Sequence, residues 1–337
     1  GALLVAGALL AVACLLITPA QLARVDPGYL MVDQLDEYAV LTARAHRLAH
    51  DRGDALLVLI TGASGTREAI GDTRRMSTVL SDRVGRPVEV ILLAAGSLTL
   101  PEAGALIDQC PPGRRGVALI GVGVRTMCRP RPQLVDHLTR DKLAIDSPMW
   151  DAQLALFGVD RPTRVGVLLI DHAGFFTARI GALANLLTGP AQPRATLFGA
   201  DHRRWSEQRW GQKIPLLREE IARADDPANP NFAALELLVD RLGQRHALHL
   251  ALLEPPQHPR ARKARGPDYL RYRQQLAEFA VAWDLPLLSL EDATDLPADA
   301  FRDYAHIMDD AARERCRAVL INRLTPMLRE IAREGTQ

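Results

Sequence analysis

The stretch ALLVLITGASGTRE, residues 55–68, decides the fold because an apolar run passes directly into a turn of small residues. Residues 55–60 have strand length and no polar side chain, which is typical of a strand buried on both faces in a parallel sheet. The turn that follows contains Gly62 and Ser64, and the pattern then predicts a helix over residues 66–84. A strand, a short turn and a helix in this order indicate the first unit of an α/β fold.

The rest of the chain repeats this alternation of strands and helices. Apolar runs of strand length recur at residues 87–93, 117–121, 247–253 and 286–290. Helical patterns are predicted over residues 29–50, 98–109, 231–243 and 306–333. These elements predict a three-layer, doubly wound, parallel five-stranded sheet of the flavodoxin-like type, in one α/β domain over residues 29–337. The mostly helical stretch at about 130–225, broken by prolines, is expected to be an insertion in that domain.

The composition limits the classes of function. The chain has 337 residues, of which 48% are apolar and 24% charged, an ordinary balance for a folded protein of enzyme size. Its 41 Lys and Arg residues almost equal its 40 Asp and Glu residues, which argues against a dedicated nucleic-acid binder. Four cysteines exclude a disulfide-dense scaffold. Cys110 and Cys128 flank the predicted third strand, and they are either free thiols or, in an oxidising compartment, a disulfide.

The N-terminal segment predicts a membrane anchor. Residues 1–17, GALLVAGALLAVACLLI, carry no charged side chain, and the first charge of the chain is Arg24. A bilayer core of about 30 Å needs about 20 apolar residues. We therefore expect a single transmembrane helix over residues 1–22, with the globular domain outside the cytoplasmic membrane. A cleaved signal peptide is the alternative interpretation, although its apolar region is usually only about 7–15 residues long.

Ser64, Asp303 and His306 are the candidate catalytic residues. Ser64 follows the first strand at the expected start of a helix, where free N–H groups and the helix dipole favour a developing negative charge. Asp303 and His306 stand three apart at the expected start of the last helix, a spacing that places both side chains on one helical face. There a carboxylate can orient an imidazole toward a nucleophile. The alternatives are an N-cap role for Ser64, a surface cap for Asp303 and an idle surface position for His306.

These residues, with Gly96 after the second strand, resemble the motif blocks of the SGNH (GDSL-like) hydrolase superfamily. The first block of the family looks like Gly62, Ala63 and Ser64 of this chain, and the second block looks like Gly96. Asp303 followed by His306 is similar to the last block.

Two longer strings resemble the membrane-anchored branch of that superfamily. SGTREAI, residues 64–70, is similar to its G-S-S-x-x-R-E form, and LEPPQHP, residues 253–259, is similar to the end of its fourth strand. The branch includes the teichoic-acid D-alanylation and alginate O-acetylation proteins. The spacing and order of the motif blocks in this chain match the family from about residue 54 to residue 328.

The resemblance implies a serine acyltransferase or esterase. Ser64 would be the nucleophile, His306 the general base and acid, and Asp303 the residue that orients the imidazole. Backbone N–H groups of Ser64 and Gly96 would form the oxyanion hole. The resemblance also implies a cell-surface polysaccharide as substrate and an integral-membrane O-acyltransferase as partner. It places the protein in the bacterial inner membrane through one helix, with the catalytic domain in the periplasm. Neither a metal, a cofactor nor a nucleic acid is expected.

The sequence departs from the family at the third block, which normally supplies an Asn to the oxyanion hole. Residues 120–126, IGVGVRT, contain none, so Arg125 and Thr126 are the candidates for that place. With Arg67 and His258 they are also candidate substrate contacts. The basic run 259–265 is expected to form a solvated loop, or one that contacts anionic polysaccharide or lipid headgroups. These departures leave a non-catalytic structural subunit of a membrane complex as the alternative function.

Overall fold

The computed structural model of the chain describes residues 12, 14, 17–32, 36–160, 163–181, 203–226, 228–245 and 247–334. Its centre is a sheet of parallel strands: β1 (Leu56–Gly62), β2 (Val88–Ala94), β3 (Gly116–Gly121), β4 (Leu248–Glu254) and β5 (Leu287–Ser289). The strand order is β2-β1-β3-β4-β5. The predicted α/β class and the five-stranded parallel sheet are therefore confirmed.

Helices connect and cover these strands. In chain order the described α-helices are α1 (Pro19–Leu22), α2 (Glu37–Ala49), α3 (Ser64–Ile70), α4 (Thr73–Val84), α5 (Leu100–Ile107), α6 (Val124–Met127), α7 (Arg131–Thr139), α8 (Pro148–Leu156), α9 (Leu168–Asp171), α10 (Ala173–Thr177), α11 (Glu207–Ala224), α12 (Pro230–Arg245), α13 (Pro259–Ala282), α14 (Leu290–Thr294) and α15 (Asp310–Glu334). Short 3₁₀ helices cover Pro27–Tyr29 and Ala298–Ala300. Helix α13 bends at Gly266, whose φ is 59°.

The central strands β1 and β3 are buried along their whole length, which explains why both are continuous apolar runs. Leu57 and Leu59 of β1 point into one core, with side chains from α2, α5, α12 and α13. Leu56, Val58 and Ile60 point into the opposite core, with side chains from α3, α4, α14 and α15. Because successive residues of a strand face opposite sides, a strand covered by helices on both sides has no polar face.

The edge strand β2 is capped by side chains rather than by another strand. The N–H groups of Val88 and Val90 donate to Ser81 Oγ and Ser77 Oγ of α4, both at 2.9 Å. Arg44 Nη1 of α2 donates to the carbonyl of Leu92 at 2.6 Å. These contacts occupy backbone groups that would otherwise be open to pairing with another chain.

Four predictions of local structure are wrong, and local capping explains two of the differences. The helix predicted over residues 66–84 is two helices, because Gly71 has a φ of 62° and the side chain of Asp72 caps the start of α4. The helix predicted from residue 29 begins only at Glu37, after the Asp36 cap. The last helix begins at Asp310 instead of residue 306. The basic run 259–265 forms the start of α13 and not a loop.

The described parts of the predicted insertion are helical, from α7 to α11. The predicted anchor at residues 1–22 falls mostly outside the described residues, which include only 12, 14 and 17–22 of it. No helix in the described part of the chain has both the length and the apolar character that a membrane span needs. Cys110 and Cys128 are free, buried thiols, so no disulfide joins them. Burial raises the pKa of Cys110 to about 12 and that of Cys128 to about 11.

Gly121, the last residue of β3, allows β1 to approach closely beside the Ser64 turn. A Cβ there would lie 2.6 Å from the carbonyl oxygen of Thr61 and 2.7 Å from Gly62 Cα. Backbone atoms cannot swing aside, so we expect Gly121→Ala to lower the free energy of unfolding by about 1–3 kcal/mol. Gly243→Ala is the control, because a Cβ there meets nothing within 4 Å and the change raises helix propensity. Urea denaturation measures both, and a Gly121→Ala protein as stable as the wild type would contradict this packing.

His172, buried between α9 and α10, makes the stability depend on pH. Its Nδ1 lies 2.9 Å from Asp141 Oδ1 and its Nε2 lies 3.5 Å from Asp146 Oδ1. Burial disfavours the charged ring, but these carboxylates outweigh it and raise the pKa of His172 to about 9. Burial lowers the pKa of the neighbouring His46 to about 4, so His46 stays neutral above pH 6.

We therefore expect the stabilisation from His172 to be complete below about pH 6.5, the ordinary histidine pKa, and lost as the pH rises through about 9. His172→Gln should flatten this part of the stability curve. Urea unfolding of both proteins between pH 6 and pH 9.5 tests this, and parallel curves for wild type and variant would contradict the charged pairing.

Candidate active site

Ser64 is held at the start of α3 by the turn that ends β1. Gly62 has a φ of 149°, and a Cβ on it would collide with Thr66 Oγ1, so glycine is required at this turn. The N-cap of α3 is Ala63, which makes no side-chain cap hydrogen bond. The N-cap alternative for Ser64 is therefore excluded, and its hydroxyl is directed elsewhere.

Asp303 and His306 lie in a closed loop before α15 and not on a helix. Phe301 and Ile307 form an antiparallel bridge, and Arg302 N–H donates to the carbonyl of His306 at 3.0 Å. Within the loop, Asp303 Oδ1 accepts hydrogen bonds from the N–H groups of Ala305 and His306, both at 3.0 Å. The expectation of a shared helical face is wrong, but the turn places the same two side chains together.

The three candidate catalytic side chains form one hydrogen-bonded chain. Ser64 Oγ lies 2.7 Å from His306 Nε2, and His306 Nδ1 lies 2.7 Å from Asp303 Oδ2. Burial would raise the pKa of Asp303, but hydrogen bonds from the His306 ring and from two backbone N–H groups hold it below its ordinary value. An ionised Asp303 can only accept, so Nδ1 carries the imidazole proton and Nε2 accepts from the Ser64 hydroxyl. This is the tautomer that a general base needs.

Ionic contacts that the sequence analysis missed join α3 to this loop. Glu68 Oε1 lies 2.9 Å from Arg302 Nη2, and Arg302 Nε lies 3.8 Å from Asp303 Oδ2. Glu68 Oε1 also lies 3.2 Å from Arg67 Nη2. Glu68 stands in the quoted motif, but nothing in the local sequence indicates its partner at position 302. The ion pair of Glu68 and Arg302 fixes the helix that carries Ser64 against the loop that carries His306.

The N–H of Gly96 does not face an open site. It donates to the carboxylate of Glu37, and the other oxygen of that carboxylate pairs with the Arg67 guanidinium. In this arrangement Gly96 can serve an oxyanion only after Glu37 moves, and a carboxylate at that amide also repels negative charge. Arg67 is not placed for substrate contact either, because its side chain is only 7% exposed and is paired with Glu37 and Glu68.

A small cavity of about 40 Å³ adjoins Ser64 at the carboxyl ends of β1, β3 and β4. Arg125, Tyr304 and His306 line it, and the same three residues also line a neighbouring cleft of about 370 Å³. Arg125 donates to the hydroxyl of Tyr304, and its Nε lies 3.8 Å from Glu220 Oε1. Of the candidate substrate contacts, Arg125 is therefore the one that lies at the site. Tyr304 is a lining residue that the sequence analysis did not single out.

Thr126 and His258 have structural surroundings. Thr126 is 3% exposed within α6. His258 caps α13, since its ring Nδ1 accepts from the backbone N–H of Arg260 at 2.9 Å. Its backbone N–H donates to the carbonyl of Tyr304 at 3.0 Å. Its ring packs 5.6 Å from the ring of Phe301. His258 thus supports the Asp303 loop from behind instead of facing a substrate.

The basic run at the start of α13 is largely neutralised by acidic side chains from other elements. Arg260 Nη1 lies 2.7 Å from Glu207 Oε1, and Arg262 Nη1 lies 2.6 Å from Glu291 Oε1. Arg265 is 3% exposed and donates to the side chain of Gln257. Arg265 Nη2 also lies 3.6 Å from Glu220 Oε2, so among the four cations of the run only the exposed Lys263 has no acidic partner in the described part of the chain.

Comparisons with known proteins do not assign the chain to a family. No protein-family model matches it, and no curated protein matches it significantly. Within the described residues, no group of three His, Cys, Asp or Glu side chains is arranged to hold a metal ion. The geometry of the site therefore carries the functional argument.

The hydrogen bond between Gly96 and Glu37 predicts slow amide exchange at Gly96. Glu37→Ala removes the acceptor, and a hydrogen bond to a charged group is worth about 1.5–3 kcal/mol, so exchange of the Gly96 amide should become about 10-fold faster or more. Hydrogen–deuterium exchange measures this, with Glu236→Ala on the exposed face of α12 as control. The amide of Leu92 in β2 distinguishes a local effect from general loss of stability. An unchanged Gly96 amide in Glu37→Ala would exclude the contact.

Proposed function

We propose that this chain is a serine acyltransferase or esterase of the SGNH type that acts on O-acyl groups of a cell-surface polysaccharide. The observation that carries the proposal is the continuous chain of hydrogen bonds from Ser64 Oγ through the His306 ring to Asp303, at 2.7 Å for each link. A serine hydroxyl, an imidazole in the basic tautomer and an ionised carboxylate in this order are the parts of a nucleophilic serine site.

In the proposed mechanism Ser64 Oγ attacks the ester carbonyl while His306 Nε2 takes the hydroxyl proton. Asp303 stabilises the imidazolium that forms. His306 then returns the proton to the leaving alcohol, which departs and leaves an acyl group on Ser64. An incoming hydroxyl, from a sugar or from water, gives its proton to His306 and attacks the acyl-enzyme. The bond between the acyl group and Ser64 Oγ then breaks, and His306 returns the proton to Ser64 Oγ. The acceptor alone decides whether the reaction is transfer or hydrolysis.

Stabilisation of the oxyanion in this proposal comes mainly from the start of α3. The first N–H groups of a helix have no partner within the helix, so those of Ser64 and Gly65 can donate to an oxyanion beside Ser64 Oγ. Arg125, which lines the same cavity, is the candidate for the place of the family's Asn. While Glu37 holds the Gly96 N–H, we expect a rate about 10²–10³-fold below that of a complete oxyanion hole.

The shape and lining of the site support a short acyl group on a larger, hydroxyl-rich carrier. The cavity beside Ser64 measures only about 40 Å³, which favours a small acyl group such as acetyl. The adjoining cleft of about 370 Å³ is lined by Trp205, Arg209 and Lys213, among others. A partly exposed aromatic face beside cationic donors can stack on a sugar ring and bind its oxygens.

The proposal includes a membrane location. The apolar run 1–17 and the resemblance to anchored SGNH proteins support one transmembrane helix, a periplasmic catalytic domain and an integral-membrane O-acyltransferase as partner. A partner of that kind would supply the acyl group.

Labelling with a fluorophosphonate probe tests the proposal. We expect the wild type to be labelled and Ser64→Ala and His306→Ala to lose labelling. Asp303→Asn should react at least about 10³-fold more slowly than the wild type. Ser97→Gly is the matched control, because Ser97 is exposed and has a φ of 66°, which glycine adopts without strain. Hydrolysis of p-nitrophenyl acetate should follow the same order. Labelling that persists in Ser64→Ala would contradict the assignment of the nucleophile.

Two observations favour the alternative of a non-catalytic structural subunit. The carboxylate of Glu37 occupies the Gly96 N–H, and no Asn follows β3 among residues 120–126. A folded wild type that neither reacts with the probe nor hydrolyses the ester would support this alternative.

A further inference from the structure

A second cavity, of about 650 Å³, lies beside the edge strand β2. Its walls are α1 with the residues after it, the C-terminal half of α2, and residues 89–92 of β2. None of these lining residues borders the Ser64 cavity or its neighbouring cleft. The volume falls in the range of about 300–1,000 Å³ that is usual for ligand sites.

The charged lining of this cavity is mainly cationic. Its basic residues are Arg24, Arg44, Arg47, His50 and Arg52, and its acidic residues are Asp51 and Glu89. Asp51 is already engaged, because its Oδ2 lies 2.7 Å from Arg114 outside the cavity. In the part of the chain that the structure describes, no carboxylate oxygen lies within 4 Å of a guanidinium nitrogen of the four lining arginines.

Two of these arginines are held in place by backbone carbonyls. Glu89, which lines the same cavity, makes no ion pair with Arg47 and interacts with it only through the longer-range attraction of their charges. Arg44 Nη1 donates to the carbonyl of Leu92 at 2.6 Å, and Arg47 Nε donates to the carbonyl of Ala23 at 3.3 Å. A carbonyl fixes the direction of a guanidinium but does not cancel its charge. Burial, and then the charge of Arg47, lower the pKa of Arg44. An anion between the two side chains would relieve this repulsion.

We propose that this cavity binds a phosphate group, carried by an anionic lipid headgroup or free in solution. Guanidinium groups match phosphate oxygens with paired N–H donors, and several converging on one cavity provide more than one such contact. The wall formed by α1 begins two residues after the apolar run 1–17. If that run spans a membrane as proposed above, the cavity follows directly on the lipid surface, where the phosphates of lipid headgroups are exposed. Binding of free phosphate does not depend on the anchor.

The test measures binding to the full-length chain in neutral detergent micelles by isothermal titration calorimetry. The probes are inorganic phosphate, dihexanoyl-phosphatidylglycerol and, as a zwitterionic reference, dihexanoyl-phosphatidylcholine. The cavity variant is Arg24→Gln/Arg47→Gln/Arg52→Gln. The matched control, Arg241→Gln/Lys263→Gln/Arg323→Gln, removes three exposed cations elsewhere. A second variant, Arg24→Gln/Arg52→Gln, keeps the hydrogen bond from Arg47 to Ala23 and so preserves the wall.

We expect the cavity variant to lose about tenfold or more in affinity for the anionic probe that the wild type binds, inorganic phosphate or phosphatidylglycerol. The second variant should lose part of that affinity, and the control should stay within about twofold of the wild type. Tight binding of phosphatidylglycerol alone identifies a lipid site, and binding of inorganic phosphate identifies a site for free phosphate. The proposal is overturned if neither probe binds, if folded cavity variants bind as the wild type does, or if phosphatidylcholine binds as tightly as phosphatidylglycerol.

Discussion

The close contact between β1 and β3 is the constraint on which the rest of the structure depends. β3 begins and ends with glycine, and a Cβ on Gly116 would overlap the carbonyl of Leu57 in the neighbouring strand. Since β2 lies on one side of β1 and β3 on the other, the chain changes direction across the sheet at this contact. A doubly wound sheet opens a crevice at such a point, beyond the carboxyl ends of its strands. Ser64 stands at that crevice because the turn at Gly62 ends β1 there.

The site is assembled from distant parts of the chain by buried ionic contacts. Glu68 and Arg302 are 234 residues apart and join the helix of Ser64 to the loop of His306. Bringing charged groups out of water is costly unless each finds its partner, so such a network permits few arrangements. The same principle explains the unexpected state of Gly96. Glu37 pairs with Arg67, and its second oxygen then reaches the Gly96 N–H. A contact that fixes the turn after β2 thereby also occupies a donor that catalysis would use.

The sequence predicted the sheet well because a buried strand is a local pattern. Each of the five apolar runs became a strand with nearly the predicted ends. The residues that meet at Ser64 were also predicted, but the local structure that joins Asp303 to His306 was not, because a spacing of three fits both a helical turn and a side-chain-capped loop. The contacts that Arg67 and His258 make in the structure were not predicted, for a different reason. Their roles depend on Glu37 and Phe301, and nothing in the nearby sequence indicates those partners.

Compensation of charge distinguishes structural arginines from arginines available for binding, and this property is invisible in a sequence with nearly equal numbers of acids and bases. Arg67 and Arg302 each lie against a carboxylate from the site network. Arg44 and Arg47, beside β2, are instead fixed by backbone carbonyls, which orient a guanidinium without an ion pair. A cation placed in this way retains its attraction for an external anion. In the proposed anion site arginine serves a second purpose, and the partner supplied by the tertiary structure distinguishes it from the structural one.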